Sequence, residues 1–333
     1  MNTELLSLFQ TLAQCAEELK LTVFVVGGFV RDCLLGLRIS DADVDVVLEG
    51  DTTAYAERLH NALGGEIATH PKFLTKKLHS LEGVAVCEID IIQARTESYV
   101  VPGALPMVRA GTLREDLERR DFSINCLACA LELSPALLDG TLRRDQIVGT
   151  NQAFSDLKGP LLRVLHEKSF QDDPTRLFRL LRYQSRLGAS IETATQRLFE
   201  SAIEQRVLES ISAFRIASEL WKILHEKNVV AMWTMLQRYG LLQRRPFRGL
   251  ATPEFLQGLS VLARKENVSD LEWLCLMSLF IVEADLPDFW QTTNTPKAGK
   301  KLVKSSRAAI LGDESADLTE ELRSVSEIFK QIQ

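Results

Sequence analysis

The sequence predicts an N-terminal α/β domain followed by an all-helical remainder. Within residues 20–133, short apolar runs with the twofold period of strands alternate with stretches of helical spacing. After about residue 160, apolar residues recur with the helical period, and no segment has a convincing strand pattern. Residues 134–159, between these two parts, are rich in turn formers. This order indicates a mixed α/β head with helices behind it.

The elements of the head follow from local patterns. Residues 1–20 have the spacing of an amphipathic helix, and residues 95–118, which contain two Pro and two Gly, read as an extended loop. The remaining candidates are strands at 22–26, Val44–Leu48 and 84–92 and helices at 29–35 and 52–62.

Composition limits the class of protein. The chain has 333 residues, 46% of them hydrophobic, and no apolar run approaches the roughly 18 residues of a membrane span. A net charge of −6 argues against a protein that coats nucleic acid, although a local basic face can still bind RNA. Six cysteines are expected to be reduced thiols in a cytoplasmic protein. Cys126 and Cys129 lie in a small apolar run, predicted as helical, which favours packing over metal binding.

The segment 23–50 is the most informative part of the chain. An apolar strand ends in Gly27-Gly28, where backbone can approach a ligand closely. Arg31 and Asp32 then fall in the first turn of a helix, whose free N–H groups favour anions. A dinucleotide-binding turn is a poorer interpretation because the G-x-G-x-x-G spacing is absent.

A run of alternating acids follows this turn. In Val44–Leu48 the strand period places the apolar side chains on one face and puts Asp43 and Asp45 together on the other. Carboxylates held side by side repel one another, and a divalent cation is the usual reason to hold them so. Glu88 and Asp90 share one face of a later strand candidate and could supply a third carboxylate, although a solvated strand face explains them almost equally well.

Two further motifs carry polar groups at helical spacing. In residues 118–128 (ERRDFSINCLA), Arg120 can bind phosphate. Asp121 and Asn125, at i and i+4 of a predicted helix, can form hydrogen bonds with a ribose hydroxyl. In residues 171–183 (QDDPTRLFRLLRY), the Asp173 carboxylate can accept hydrogen bonds and Arg176 can donate them. A capped helix start is the structural alternative in both segments.

A basic helical face follows the third motif. Four arginines, spaced three or four residues apart, share this face opposite a leucine face, and none of them has an acid at i+4. A triphosphate or an RNA backbone would relieve their repulsion. The four are Arg176, Arg179, Arg182 and Arg186. A second basic cluster, residues 297–307, reads more simply as a solvated surface.

These motifs, in this order, resemble those of the class II tRNA nucleotidyltransferases and bacterial poly(A) polymerases, which belong to the polymerase-beta-like nucleotidyltransferase superfamily. The resemblance selects Asp43 and Asp45 over Asp41 as the metal acids, because the residues that follow match the family, and counting back from Arg95 it makes Asp90 the third acid. Asp173 and Arg176 then correspond to the residues that read the incoming base.

The resemblance implies a polymerase-beta-like head at 1–135, an all-α neck at 136–200, a body at 201–290 and a short tail at 291–333. It implies addition of C, A or both from CTP and ATP to the 3′ acceptor end of tRNA, with release of pyrophosphate. Asp43, Asp45 and Asp90 would hold Mg²⁺. The residues implied to bind the nucleotide are Gly27, Gly28, Arg31, Asp32, Arg120, Asp121, Asn125, Asp173, Arg176, Arg179 and Arg182.

Two segments outside the motifs bear on this resemblance. Residues 214–220 resemble a fifth element, in which Arg215 and Glu219 would brace a helix. The linker from Asp139 to Asp156 is longer than the compact turn of the family, which leaves the switch from C to A addition open. Within the enzyme class, the resemblance implies a CCA tRNA nucleotidyltransferase, and CC-only addition, A-only addition and poly(A) synthesis stay open as alternatives. Outside it, the alternative is a catalytically silent RNA-binding module.

Overall fold

The computed structural model describes residues 3–37, 43–81, 83, 86, 88–295, 299–301, 303, 304, 307 and 320–332. The chain forms two compact units: the first comprises Met1–Ser169 with Ser190–Thr195, and the second Phe170–Ala189 with Gln196–Gln333. The predicted fold class, an α/β head followed by helices, is confirmed. The four domain ranges drawn from the resemblance stay a prediction.

The strands are concentrated in the first unit. In chain order they are β1 Val23–Val26, β2 Val44–Leu48, β3 Glu66–His70, β4 Thr75–His79, β5 Ile89–Gln93, β6 Arg95–Ser98, β7 Met107–Ala110, β8 Leu127–Ala130, β9 Ile147–Gly149, β10 Leu161–Leu162 and β11 Ser190–Ile191.

Seven strands form one mixed sheet in the order β3-β4-β5-β2-β1-β8-β9. Only the central pair β2–β5 is parallel, and its other neighbouring pairs are antiparallel. β6 and β7 form a separate antiparallel hairpin, and β10 pairs with β11 in parallel. Because β5 lies directly beside β2, polar side chains on these two strands become neighbours.

The helices are α1 Thr3–Glu18, α2 Gly28–Leu34, α3 Thr53–Leu63, α4 Leu113–Glu118, α5 Ser134–Asp139, α6 Asn151–Lys158, α7 Ser169–Asp172, α8 Arg176–Leu187, α9 Thr193–Glu204, α10 Ala213–Leu224, α11 Val229–Arg238, α12 Pro253–Leu262, α13 Asp270–Phe280, α14 Leu286–Thr292 and α15 Glu320–Ile332. Short 3₁₀ turns lie between them, including one at Ser123–Asn125.

The core of the first unit joins the apolar face of α1 to the valines of β1 and β2. Phe9 of α1 is fully buried, and its ring centroid lies 4.9 Å from that of Phe29 on α2. The Tyr55 hydroxyl donates to the Leu12 carbonyl at 3.0 Å, which ties α3 to α1 and satisfies a buried polar atom. This packing holds the glycine turn between β1 and α2 on a rigid base.

The second unit is a helical assembly with capped helix starts. Ser212, Thr252 and Ser269 each accept a hydrogen bond from the backbone N–H three residues on, which ends the preceding loop at a defined residue. Trp233 of α11 is buried, and its indole N–H donates to the Leu250 carbonyl at 2.9 Å. α15 packs on α12 and α13 through its buried apolar face.

The expectation of an extended loop over 95–118 is wrong. The segment contains the hairpin β6–β7 and the helix α4, which begins with a capping box between Thr112 and Glu115. The Pro and Gly residues at 102 and 103 mark only the connection between the two strands. Turn formers identified the bend correctly but did not define the length of the flanking strands.

Two other local expectations also fail. The run containing Cys126 and Cys129 was expected to be helical, whereas Leu127–Ala130 is β8 and pairs with β1. A short apolar run fits either structure by periodicity, and the open edge of β1 decided the outcome. After residue 160, where no strand was expected, the two-residue pair β10–β11 occurs.

The long linker is ordered rather than an open insert. Between Asp139 and Asp156 the chain forms β9, which is the last strand of the large sheet, and most of α6. Among the described cysteines, Cys15, Cys33, Cys126, Cys129 and Cys275 are all free thiols, as expected. In the part of the chain that the structure describes, no helix is both long enough and apolar enough to span a membrane.

Candidate active site

Two predicted acids lie side by side at the centre of the sheet. Asp45 of β2 and Asp90 of β5 are register partners in the parallel pair, so their side chains emerge on the same face from strands about 4.8 Å apart. Asp43 precedes β2 and is exposed. The register therefore makes Asp90 an immediate neighbour of Asp45. Asp41 lies outside the described residues.

The environment of this pair disfavours its full ionisation. Burial raises the pKa of Asp45 to about 6; the charge of Arg120 opposes the shift, and the charges of Asp90 and Asp43 add to it. Burial likewise raises the pKa of Asp90, against the attraction of Lys77. Asp90 Oδ1 is buried and makes no hydrogen bond with any described residue. Positive charge placed beside two such carboxyl groups stabilises their ionised form.

The donor set fits a divalent cation that is shared with other ligands. Among the described residues, no three His, Cys, Asp or Glu side chains form a ready-made metal cage. Mg²⁺ commonly uses only one or two protein carboxylates and completes its shell with water and substrate phosphate. Asp45 and Asp90 match that requirement in number and chemistry, and Asp43 immediately precedes β2.

The glycine turn lies under an arginine. Gly27 has φ 72° and ψ −131°, and its N–H donates to the Leu127 carbonyl of β8 at 2.9 Å. A Cβ at this position would lie 2.4 Å from Nη1 of Arg120. Gly27 therefore leaves space for the guanidinium, and Gly28 is the first residue of α2. The arginine and the turn form one surface beside Asp45.

A buried aspartate holds that arginine, and the sequence analysis missed it. Asp116 of α4 has no exposed surface; its Oδ2 accepts from Arg120 at 3.1 Å and its Oδ1 from Arg119 at 2.6 Å. Burial raises the pKa of Asp116, but Arg120 and Arg119 outweigh burial and hold it below the usual value. The spacing of three and four residues would have revealed this pairing had α4 been expected to be helical.

Arg31 and Asp32 form a buried hydrogen-bond network with the second motif. Arg31 is only 1% exposed; it donates to Asp32 at 2.7 Å and to Asn125 Oδ1 at 2.5 Å. Asn125 Nδ2 in turn donates to Asp121 Oδ1 at 2.8 Å. The structure thus brings Asp121 and Asn125 together, although through a 3₁₀ turn rather than the expected α-helix. Arg31 orients Asn125, and its contact with a triphosphate stays a prediction.

In the second unit, Asp173 is fixed from two sides. Its Oδ1 accepts from the backbone N–H and the hydroxyl of Thr175, at 3.0 and 2.6 Å, and from Arg215 at 2.7 Å. The turn before α8 and the fifth element therefore meet at one carboxylate oxygen. Glu219, the expected partner of Arg215, instead forms its ion pair with Lys222 at 2.9 Å.

The arginine face of α8 has local partners. Arg179 donates to the Tyr183 hydroxyl at 3.1 Å, and Arg176 is 5% exposed. Arg182 and Arg186 approach Glu226 at 3.9 and 3.8 Å, so an acid distant in sequence offsets part of the expected repulsion. The need for an external anion is correspondingly smaller than the helix alone indicated.

The second basic cluster, 297–307, lies partly outside the described residues. Lys304 stands over the Trp290 ring at 5.0 Å, and Arg307 donates to the carbonyls of Ser278 and Ile281. These two cations stabilise local packing; the Arg307 side chain is only 13% exposed, so at this residue the cluster is not the solvated surface that was expected.

Comparison with known proteins identifies the family. A model described as the poly A polymerase head domain matches residues 23–163, and one described as a probable RNA and SrmB-binding site of polymerase A matches residues 188–246. The chain is similar to the A-adding tRNA nucleotidyltransferases of Halalkalibacterium halodurans (35% identity over 296 residues, 88% of this chain and 65% of that protein) and Geobacter sulfurreducens (35% over 294 residues, 86% and 32%). It thus spans less than two thirds of either relative.

Solved structures agree with this match. A CCA-adding enzyme in an apo form has a TM-score of 0.70 and 27% identity, covering 100% of this chain and 83% of that one. The Thermotoga maritima CCA-adding enzyme complexed with tRNA has a TM-score of 0.63 and 26% identity, covering 100% and 82%. The chain belongs to the family of class II tRNA nucleotidyltransferases and bacterial poly(A) polymerases, as the motifs predicted. Proteins of this family generally use divalent metal ions.

The close approach of Arg120 to Gly27 is testable. Gly64 has nearly the same backbone angles, φ 74° and ψ −149°, but among the described residues nothing beyond its own chain neighbours lies within 4 Å of its missing Cβ. Gly64→Ala and Gly27→Ala should share the cost of backbone strain, and Gly27→Ala should lose about 1–3 kcal/mol more because the guanidinium must move. Urea denaturation measures both; equal losses would show that Arg120 does not occupy this space.

The ion pairs of Asp116 predict a pH-dependent stability difference. Asp116→Asn leaves two buried guanidinium groups undercompensated and should lower the unfolding free energy at pH 7 by about 3 kcal/mol. Because the pKa of Asp116 is lowered in the folded state, its stabilisation is complete above the unfolded pKa of about 4. The difference should therefore shrink as pH falls below that value through the folded pKa.

Denaturant titrations from pH 7 downwards measure this difference. The matched control is Asp145→Asn, which removes an exposed acid paired with Arg143 and should leave stability nearly unchanged. A difference independent of pH would contradict the charged pairing of Asp116.

Proposed function

We propose that this protein is a template-independent RNA nucleotidyltransferase that adds C, A or both from CTP and ATP to the 3′ end of tRNA, releasing pyrophosphate. The observation that carries the proposal is the register of β2 and β5, which sets Asp45 beside Asp90 on one face next to Arg120. Family membership and the A-adding relatives support the choice of reaction.

The proposed chemistry assigns each group a task. Asp45 and Asp90, with Asp43, would hold Mg²⁺. When bound there, Mg²⁺ supplies charge that lowers the pKa of the attacking RNA 3′-hydroxyl and neutralises the phosphates in the in-line transition state. Arg120, oriented by Asp116, would donate to the triphosphate over the glycine turn.

The buried network positions the sugar. Asp121 is 7% exposed and accepts from both the Phe122 backbone and Asn125, so its carboxylate has a defined orientation. We assign Asp121 and Asn125 to a ribose hydroxyl. Gly28 would contribute its backbone N–H to phosphate, whereas Gly27, whose N–H is bonded within the sheet, contributes the space above its backbone.

Base selection is assigned to the second unit. The bonds of Asp173 all converge on Oδ1, which orients the carboxylate and leaves Oδ2 as an acceptor for the exocyclic amine of C or A. Arg176 would donate to the ring acceptors of the base, and Arg179 and Arg182 would assist with the triphosphate. The tRNA acceptor end would be recognised by backbone and shape, since the bases of an RNA helix are poorly accessible.

The alternatives differ in their support. The resemblance implied complete CCA addition with A-only addition as an alternative, whereas the names of the two similar relatives favour A-only addition. A silent RNA-binding module is disfavoured, because an acid pair repels phosphate and contributes nothing to RNA binding. The cytoplasm stays the predicted location.

The acid pair gives the first test. Asp43→Ala with Asp45→Ala should reduce nucleotide incorporation at least about a hundredfold, because charge stabilisation in the transition state is lost. Incorporation of labelled nucleotide into tRNA measures the effect, with thermal unfolding to verify the fold. The control Asp145→Ala removes an exposed acid of the same unit and should retain activity. Undiminished incorporation by the double variant would refute the assignment of these acids.

Nucleotide choice gives the second test. tRNAs ending before CCA, after C and after CC are each offered CTP, ATP or both. We expect AMP to be added to the CC-ending tRNA; C addition to the shorter substrates would identify complete CCA synthesis, and its absence would identify A-only addition. Synthesis of long A tracts on unrelated RNA would show that the protein is a poly(A) polymerase rather than a tRNA-repair enzyme. If no substrate is extended, the proposed function is wrong.

A further inference from the structure

A lysine stands on the other side of the acid pair. Lys77 of β4 is the antiparallel register partner of Asp90, so Asp90 has Asp45 as its neighbour on one strand and Lys77 on the other. The Lys77 side chain is 27% exposed, and its Nζ lies 3.4 Å from Asp90 Oδ1. The sheet therefore places an ammonium group beside one of the carboxylates assigned to the cation.

A second acid shares this lysine with Asp90 and binds it more closely. Nζ of Lys77 donates to Glu88 Oε1 at 2.5 Å, almost one ångström closer than its approach to Asp90. Asp90 Oδ1, although buried, makes no hydrogen bond with any described residue. Lys77 is thus hydrogen-bonded to Glu88 while remaining within ion-pair distance of Asp90.

An ammonium group and a divalent cation compete for the same carboxylate charge. All three side chains are partly buried, with exposures of 27% for Lys77, 31% for Glu88 and 26% for Asp90, so solvent screens their interactions incompletely. A lysine side chain is ordinarily charged at neutral pH, and the two ion pairs with Glu88 and Asp90 favour that charged form. A positive charge at this distance must weaken cation binding at Asp90.

We propose that Lys77 is an internal counter-ion that sets the divalent-cation affinity of the site by competing for Asp90, and that Glu88 sets its strength by holding the ammonium group. This inference rests on the proposed function for the location of the cation. It assigns Lys77 and Glu88 as positioning residues with opposite effects: loss of Lys77 tightens cation binding, and loss of Glu88 weakens it because Lys77 then pairs fully with Asp90.

The strand supplies a matched control. Lys76 is the adjacent residue of β4 and is also partly buried, but its Nζ donates to Thr53 Oγ1 at 3.0 Å. Lys76→Met removes the same charge from the same strand without removing an ion pair with Asp90. Lys77→Arg retains the charge at the proposed position.

The experiment measures binding of Mn²⁺ alone to the full chain by electron paramagnetic resonance, without nucleotide or turnover. Lys77→Met should lower the Mn²⁺ Kd about threefold to tenfold, and Lys76→Met and Lys77→Arg should stay within about twofold of the wild type. Thermal unfolding of each variant tests that it is folded.

A double-mutant cycle tests the role of Glu88. Glu88→Gln should raise the Mn²⁺ Kd about threefold or more in the wild type but less than about twofold when combined with Lys77→Met, because Glu88 acts through the lysine. Equal effects in both backgrounds would show that Glu88 acts through its own charge and not through Lys77, and its assigned role would be wrong.

The outcomes also separate this inference from the proposed function. If Lys77→Met and Lys76→Met bind Mn²⁺ equally, the counter-ion role is wrong. If Asp45→Asn and Asp90→Asn bind Mn²⁺ as tightly as the wild type, the cation site itself is misplaced and the proposed function fails with it.

Discussion

The parallel pairing of β2 with β5 is the constraint on which the rest of the candidate site depends. It is the only parallel contact in the large sheet, and its register places Asp45 opposite Asp90. Burial raises the pKa of both carboxyl groups, and for Asp45 the charges of Asp90 and Asp43 add to the shift, so keeping both groups ionised costs electrostatic free energy. The surrounding structure has to compensate for that cost.

The compensation comes from cations that are themselves held in place. Arg120 reaches the pair from one direction, with its guanidinium fixed by Asp116 and admitted by the missing side chain of Gly27. Lys77 reaches it from another, bonded to Glu88. In both cases an additional acid, Asp116 or Glu88, fixes a cationic side chain at its distance from the Asp45–Asp90 pair. This arrangement preserves negative charge for a metal ion while limiting the repulsion between the two carboxylates.

In the second unit, too, fixed neighbours orient a carboxylate. Asp173 is bonded to Thr175 in its own turn and to Arg215 of α10, a partner 42 residues away. A carboxylate fixed through one oxygen presents the other in a defined direction, which is what selection between bases requires. The fifth element therefore contributes by orienting Asp173, whereas the sequence indicated a brace within its own helix.

Local patterns determined much of this protein. Periodicity located β1 and β2 to within one residue, the Gly27-Gly28 turn and the polar face bearing Asp45, because these depend on neighbours in sequence. The motifs, in order, identified the family. The sequence patterns did not predict the hairpin β6–β7 or the strand β8, because the structure of such short segments depends on their tertiary neighbours.

Only the tertiary structure decided which side chains surround the acids. Strand pairing made Lys77 and Asp90 neighbours, and folding brought Arg31 into hydrogen-bond contact with Asn125. Such contacts join residues 13 to 94 positions apart, and no local period encodes them. The sequence by itself determined the family and the acids at its centre; the charges that tune those acids depend on register and burial, which arise only when the strands pair.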